Sequence, residues 1–153
     1  MTEKVTAEGI LESLKGRFKD ERWVYLEEYS PWAGYGGGKD RRVDLFGINI
    51  FHSKRFYRVG YEIKVSVSDF NRQLREPVKD ALIRRYVNQY YYVTPPGIIK
   101  VERLPVGVGL IEVSNNGGMP KVIVESEWNE HNPDWGFVGQ LLQRLKKLTP
   151  EDL

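Results

Sequence analysis

The sequence predicts a single α/β domain over residues 1–153, with a mixed β-sheet flanked by helices in the order αβββαβββα. Apolar residues recur at helical spacing near both ends and in the middle of the chain. Short runs rich in aromatic and β-branched residues, which favour strands, occupy the intervals. No internal repeat or low-complexity linker divides the 153 residues, a length typical of one domain.

The first half of the chain is predicted to hold one helix and three strands. Apolar residues at helical spacing predict the helix over 6–18. The strands are predicted over 23–29, 43–51 and 56–65. The last two strands are separated only by a short polar stretch, so we expect a hairpin.

A glycine-rich segment separates the first two predicted strands. It covers about residues 30–42 and contains Pro31 and four glycines. We therefore expect an irregular, mobile loop.

The second half is predicted to hold a helix, three strands and a closing helix. Ser68 or Asp69 is expected to cap a helix that runs to about Asn88, with Pro77 as the point where it can break. Its apolar residues recur every four positions: Phe70, Leu74, Val78, Leu82 and Tyr86. The strands are predicted over 90–93, 106–113 and 121–125, and the closing helix carries Phe137, Leu141, Leu142 and Leu145.

The composition excludes several chemistries. There are no cysteines, which excludes disulfides, zinc–thiolate sites, iron–sulfur clusters and cysteine nucleophiles, and only two histidines. No apolar run approaches the ~20 residues of a membrane helix, and the N-terminus lacks the apolar centre of a signal peptide. We expect a cytoplasmic protein without a membrane partner. The net charge of +2 means that any affinity for nucleic acid must come from local clusters of Lys and Arg.

The predicted hairpin places two carboxylates together. A turn centred near Ser53 puts Asp44 opposite Glu62, and Lys64 lies two residues along on the same face. Opposed Cβ atoms are about 5 Å apart, where like charges are destabilising. A divalent cation would relieve the repulsion, and Mg²⁺ is commonly held by one or two carboxylates. The alternative is an ordinary polar sheet face on which Lys64 or Arg42 balances Asp44.

Two segments resemble the PD-(D/E)XK nuclease superfamily: Arg42-Val43-Asp44-Leu45, and Gly60-Tyr61-Glu62-Ile63-Lys64-Val65-Ser66. The run from Glu62 to Phe70 is especially similar to small bacterial and phage proteins of the MmcB DNA-repair type. The resemblance extends over roughly residues 23–113 and implies a restriction-endonuclease-like fold. It also implies that Asp44, Glu62 and the Ile63 carbonyl hold Mg²⁺, with Mn²⁺ as a substitute, and that Lys64 is the catalytic lysine.

The superfamily often adds an upstream glutamate. Glu28 is the favoured candidate because it falls shortly before the Asp44 strand, while Glu27, Glu8 and Glu12 are alternatives. For DNA phosphates we single out Lys39, Arg41 and Arg42 near the glycine-rich loop and Lys79 in the middle helix.

The leading hypothesis is therefore a Mg²⁺-dependent deoxyribonuclease, an endonuclease of DNA repair, recombination or phage DNA processing. DNA is the expected partner, and a homodimer would allow both strands to be cut. The rival hypothesis is a non-catalytic nucleic-acid-binding module on the same fold. It is motivated by the near-neutral charge and by Asn88-Gln89, because related proteins tend to carry an Asp just before this strand. A third hypothesis is an assembly protein of a phage with neither metal nor DNA affinity.

Overall fold

The structure, a computed structural model, describes residues 3–31 and 42–147. It confirms the predicted mixed α/β class in a single domain. Within these ranges, six strands form one sheet: β1 (Trp23–Tyr29), β2 (Val43–Asn49), β3 (Arg58–Ile63), β4 (Gln89–Thr94), β5 (Gly109–Glu112) and β6 (Lys121–Val124).

The strands lie side by side in chain order. The β1–β2, β2–β3 and β5–β6 pairs are antiparallel, whereas β3, β4 and β5 are parallel to one another. β2 and β3 are therefore interior strands, and the parallel strands end at the same edge of the sheet.

In the part of the chain that the structure describes, four α-helices flank the sheet: α1 (Ala7–Lys15), α2 (Val67–Leu74), α3 (Pro77–Arg84) and α4 (Trp135–Lys146). The middle segment, predicted as one helix, forms α2 and α3. Pro77 occupies the first turn of α3, where its missing N–H breaks no helical hydrogen bond.

The predicted cap of the middle helix was wrong. The hydroxyl of Ser66, not of Ser68, accepts a hydrogen bond from the backbone N–H of Asp69 at 3.1 Å. The helix begins at Val67, so Ser68 and Asp69 belong to its first turn. The carboxylate of Asp69 still lies near the positive end of the helix dipole.

Helices cover both faces of the sheet. Ile10 and Leu14 of α1 pack with Leu45 and Tyr61 in one buried cluster. On the other face, a larger cluster includes Phe46 of β2 together with side chains of α2, α3, β4 and α4: Phe70, Ile83, Tyr92 and Phe137. Both sides of β2 and β3 are thus removed from water. In the described ranges no helix is long and apolar enough to cross a bilayer.

Candidate metal and nucleic-acid site

The β2–β3 hairpin has the predicted register. Leu45 lies opposite Tyr61 and Phe46 opposite Gly60, so the next pair outward is Asp44 and Glu62. The backbone N–H of Ile63 donates a 2.7 Å hydrogen bond to Asp44 Oδ2. This bond holds the Asp44 carboxylate against β3.

Glu62 is a buried carboxylate that contacts two lysines. Its side chain is 3% exposed, and its Oε1 lies 3.0 Å from Lys79 Nζ and 3.5 Å from Lys64 Nζ. Its Oε2 is buried and has no hydrogen-bond partner among the described residues. One carboxylate oxygen therefore contacts both ammonium groups, and the other has no hydrogen-bond partner among the described residues.

Burial and a neighbouring carboxylate disfavour the ionisation of both Glu62 and Asp44. Burial raises the pKa of Glu62 to about 7, and the nearby Asp44 adds to that rise, although Lys79 and Lys64 oppose it. Burial also raises the pKa of Asp44, against the Ile63 hydrogen bond and the two lysines. A cation bound between these groups would favour their charged forms.

Helix α3 delivers Lys79 to this site and is anchored by the next residue. Buried Asp80 accepts 2.8 Å hydrogen bonds from Gln73 Nε2 and the Tyr90 hydroxyl, and a further bond from the Tyr92 hydroxyl. Tyr92 is the β4 residue that pairs with Glu62. Lys79 and Asp80 thus join α3 to two neighbouring strands.

Sequence reasoning missed Asp80 because the predicted apolar stripe ran through the wrong side of α3. Val78, which that stripe placed in the core, is 59% exposed, whereas Asp80 is buried. The break before Pro77 changes the helical phase, so the four-residue spacing of α2 does not continue into α3. Asp80 is a charged residue that follows the charged Lys79, so the local sequence did not indicate that its side chain is buried.

Two cavities meet at Asp44 and Glu28. The first, of about 260 Å³, is acidic and is lined by Glu8, Glu27, Glu28 and Asp44 together with Ala7, Leu11 and Ile63. The second, of about 270 Å³, has mixed charge: Arg42, Lys64, Arg72 and Lys79 line it with Glu28, Asp44, Asp69, Gln73 and Glu76. An acidic cavity and a cavity of mixed charge therefore lie side by side.

Among the candidate upstream acids, Glu28 is the one that lines both cavities with Asp44. Its carboxylate lies 3.7 Å from Arg42, and its backbone φ is 52°, in the left-handed region. Glu8 and Glu27 line only the acidic cavity. Glu12 lines neither cavity and lies 3.7 Å from Lys15.

The candidate donors for a metal are few. Within residues 3–31 and 42–147, no three His, Cys, Asp or Glu side chains form a group that could hold a metal ion. The donor set that the family resemblance implies is the carboxylates of Asp44 and Glu62 with the backbone carbonyl of Ile63. Because Mg²⁺ usually keeps several waters beside one or two carboxylates, this set fits that ion.

The structure describes two of the four predicted phosphate-binding residues. Arg42 and Lys79 line the mixed-charge cavity, and Lys79 bonds to Glu62. Lys39 and Arg41, like most of the glycine-rich segment at about residues 30–42, lie outside the described residues.

Asn88 and Gln89 lie away from the carboxylates. Asn88 Oδ1 accepts from the backbone N–H of Arg58 at 2.8 Å, and its Nδ2 donates to the Asn129 carbonyl at 3.0 Å. Gln89 pairs with Val59, at the opposite end of β3 from Glu62. The Asn88 side chain therefore holds loops together and does not contact the candidate metal donors.

Comparison with known proteins supports the fold alone. No family model and no curated protein matches the chain. Among solved structures, the chain is similar to the SPO1766 protein of unknown function from Silicibacter pomeroyi. The two are 17% identical, the TM-score is 0.62, and the match covers 92% of this chain and 90% of the other.

Proposed function

We propose that the protein is a metal-dependent nuclease that hydrolyses phosphodiester bonds of DNA on a restriction-endonuclease-like fold. The supporting observation is the pair of carboxylates opposed across the β2–β3 hairpin, the partly buried Asp44 and the buried Glu62, with Lys64 3.5 Å from Glu62. That arrangement corresponds to the Asp and Glu-x-Lys pattern of the PD-(D/E)XK superfamily that the sequence resembles.

Asp44, Glu62 and the Ile63 carbonyl would hold Mg²⁺ or Mn²⁺. The unpartnered Oε2 of Glu62 supports this assignment, since a buried carboxylate oxygen without a donor is costly unless something binds it. When bound, the cation supplies positive charge to the scissile phosphate and activates water.

The protein's own groups position the substrate. The Lys64 ammonium, at the end of β3, would donate to the attacking water or to a phosphate oxygen and stabilise developing negative charge. Arg42 and Arg72 line the mixed-charge cavity and would contact flanking phosphates. Glu28 lies at its junction with the acidic cavity, where it would assist Asp44.

Cleavage assays test this proposal. The purified protein is incubated with duplex, nicked, branched and single-stranded DNA in Mg²⁺, Mn²⁺ or chelator. We expect cation-dependent cleavage, reduced at least about 100-fold by Asp44→Asn, Glu62→Gln or Lys64→Met, because each removes a positioned charged group. Lys100→Met, at an exposed lysine, is the matched control. Absence of cleavage of any DNA by folded protein, or full activity in Lys64→Met, would contradict the proposal.

A second candidate is a non-catalytic nucleic-acid-binding module. The contacts of Lys64 and Lys79 with Glu62 favour it, because two ammonium groups already balance two carboxylates without a cation. This alternative predicts salt-sensitive DNA binding that persists in chelator without turnover. Binding titrations in Mn²⁺ and in chelator, run beside the cleavage assay, distinguish the two functions.

A further inference from the structure

In the described part of the chain, two buried side-chain oxygens lack a hydrogen-bond partner. One is Glu62 Oε2, in the candidate metal site. The other is Thr94 Oγ1, on a side chain with no exposed surface. A buried hydroxyl without a partner destabilises the folded state, and valine has nearly the same shape without that cost. The hydroxyl of Thr94 therefore calls for a functional explanation.

Thr94 lies beside Lys64. The parallel β3–β4 register pairs Glu62 with Tyr92 and Ile63 with Val93, and the Lys64 N–H donates to the Val93 carbonyl at 3.0 Å. Continuing by one residue places Lys64 next to Thr94. Side chains alternate along a strand, so Thr94 shares the sheet face of Lys64 and Glu62. Neighbouring strands are about 4.8 Å apart, a distance that a lysine side chain spans.

We propose that Thr94 is a positioning residue that provides Lys64 with a second hydrogen-bond acceptor. This inference rests on the proposed nuclease function. Lys64 Nζ lies 3.5 Å from Glu62 Oε1, the same oxygen that Lys79 contacts. A cation bound by Glu62 would repel both ammonium groups. The Thr94 hydroxyl then accepts a hydrogen bond from Lys64 and keeps the ammonium group beside the substrate.

Manganese titration calorimetry and urea unfolding of Thr94 variants test this role. Thr94→Val removes the hydroxyl, and Thr94→Ser retains it. We expect metal-free Thr94→Val to be at least as stable as the wild type, because it loses an unsatisfied polar group. Its Kd for Mn²⁺ should rise about fivefold, because displaced Lys64 has no second acceptor. Its DNA cleavage rate should fall about tenfold, and Thr94→Ser should restore both values.

A double-mutant cycle identifies the residue through which Thr94 acts. In a Lys64→Met background, Thr94→Val should leave the Kd for Mn²⁺ unchanged. Persistence of the fivefold effect without Lys64 would overturn the inference. So would lower stability of metal-free Thr94→Val, which would indicate a structural hydroxyl.

The two proposals fail in distinguishable ways. A wild-type protein that neither binds Mn²⁺ nor cuts DNA contradicts the nuclease function, and the role of Thr94 with it. A wild-type protein that does both, with Thr94→Val indistinguishable from it, contradicts the role of Thr94 alone.

Discussion

Glu62 shows how burial changes the chemistry of one residue. Its folded-state pKa of about 7 lies above the ordinary value of 4.5, chiefly because the carboxylate is buried and then because Asp44 is near. Between these two values the folded protein binds a proton that the unfolded chain has released. The free energy of unfolding should therefore fall as the pH rises through this window. Above about pH 7 the stabilising contribution of the Glu62 proton is lost.

We predict that Glu62→Gln reduces this pH dependence. Glutamine keeps an acceptor for Lys79 but cannot ionise, so the variant should be more stable than the metal-free wild type at about pH 8, by on the order of 3 kcal/mol at most. Urea unfolding in chelator from about pH 5 to 8 measures the effect. The control is Glu102→Gln, at an exposed carboxylate. An equal slope in Glu62→Gln and the wild type would show that Glu62 is not the titrating group.

At the scale of elements, Asp80 connects α3 to the sheet. Its carboxylate accepts from Gln73 of α2 and from Tyr90 and Tyr92 of β4. Because Lys79 precedes Asp80, these bonds also determine where the ammonium group meets Glu62. The short helices α2 and α3, of eight residues each, depend on such tertiary contacts for stability.

We predict that Asp80→Ala destabilises the protein by about 3 kcal/mol, because it leaves three buried donors without an acceptor. Asp20→Ala, which removes an exposed carboxylate bonded to Arg22, should cost far less, because exposed ion pairs contribute little to stability. Urea unfolding monitored by circular dichroism gives both values. A loss in Asp80→Ala no greater than in Asp20→Ala would refute the anchoring role of Asp80.

At the scale of the whole molecule, the turn between β5 and β6 holds the start of α1. Asn116 Oδ1 accepts from the Thr6 N–H at 2.8 Å, and its Nδ2 donates to the Lys4 carbonyl at 3.0 Å. The Gly117 N–H also donates to the Gly9 carbonyl at 3.0 Å. These contacts join the start of the described chain to the β5–β6 turn and position the helix that carries Glu8 to the acidic cavity.

Close packing at this junction requires glycine. A Cβ on Gly9 would lie 1.9 Å from Asn116 Oδ1 and 2.6 Å from Asn116 Cβ. We predict that Gly9→Ala destabilises the protein by about 2 kcal/mol, although alanine is favoured over glycine in helices by about 1 kcal/mol. Gly16, with right-handed φ of −56° and open space around it, is the matched control.

Gly16→Ala should be neutral or stabilising by up to about 1 kcal/mol. Thermal unfolding of both variants measures the difference. Equal stabilisation by both substitutions would mean that the turn does not pack on α1.

The sequence by itself determined the facing of Asp44 and Glu62 and the order of the elements, apart from the division of the middle helix into α2 and α3. Both depend on local rules: apolar periodicity identifies helices and strands, and a short hairpin with alternating side chains sets its own register. Pro77 likewise indicated where the middle helix could break. None of these predictions required knowledge of tertiary contacts.

Only the tertiary structure decided what surrounds Glu62. The packing of β4 and α3 against β3 buries Glu62 and brings Lys79 into contact with it. The same packing places Asp80 and Thr94, which are distant from Glu62 in the sequence, near the site. Parallel pairing joins residues distant in sequence, and no local period specifies its register. The break before α3 also shifts the helical phase, so Asp80 is buried and Val78 is exposed. The spacing of apolar residues in the sequence does not predict this shift.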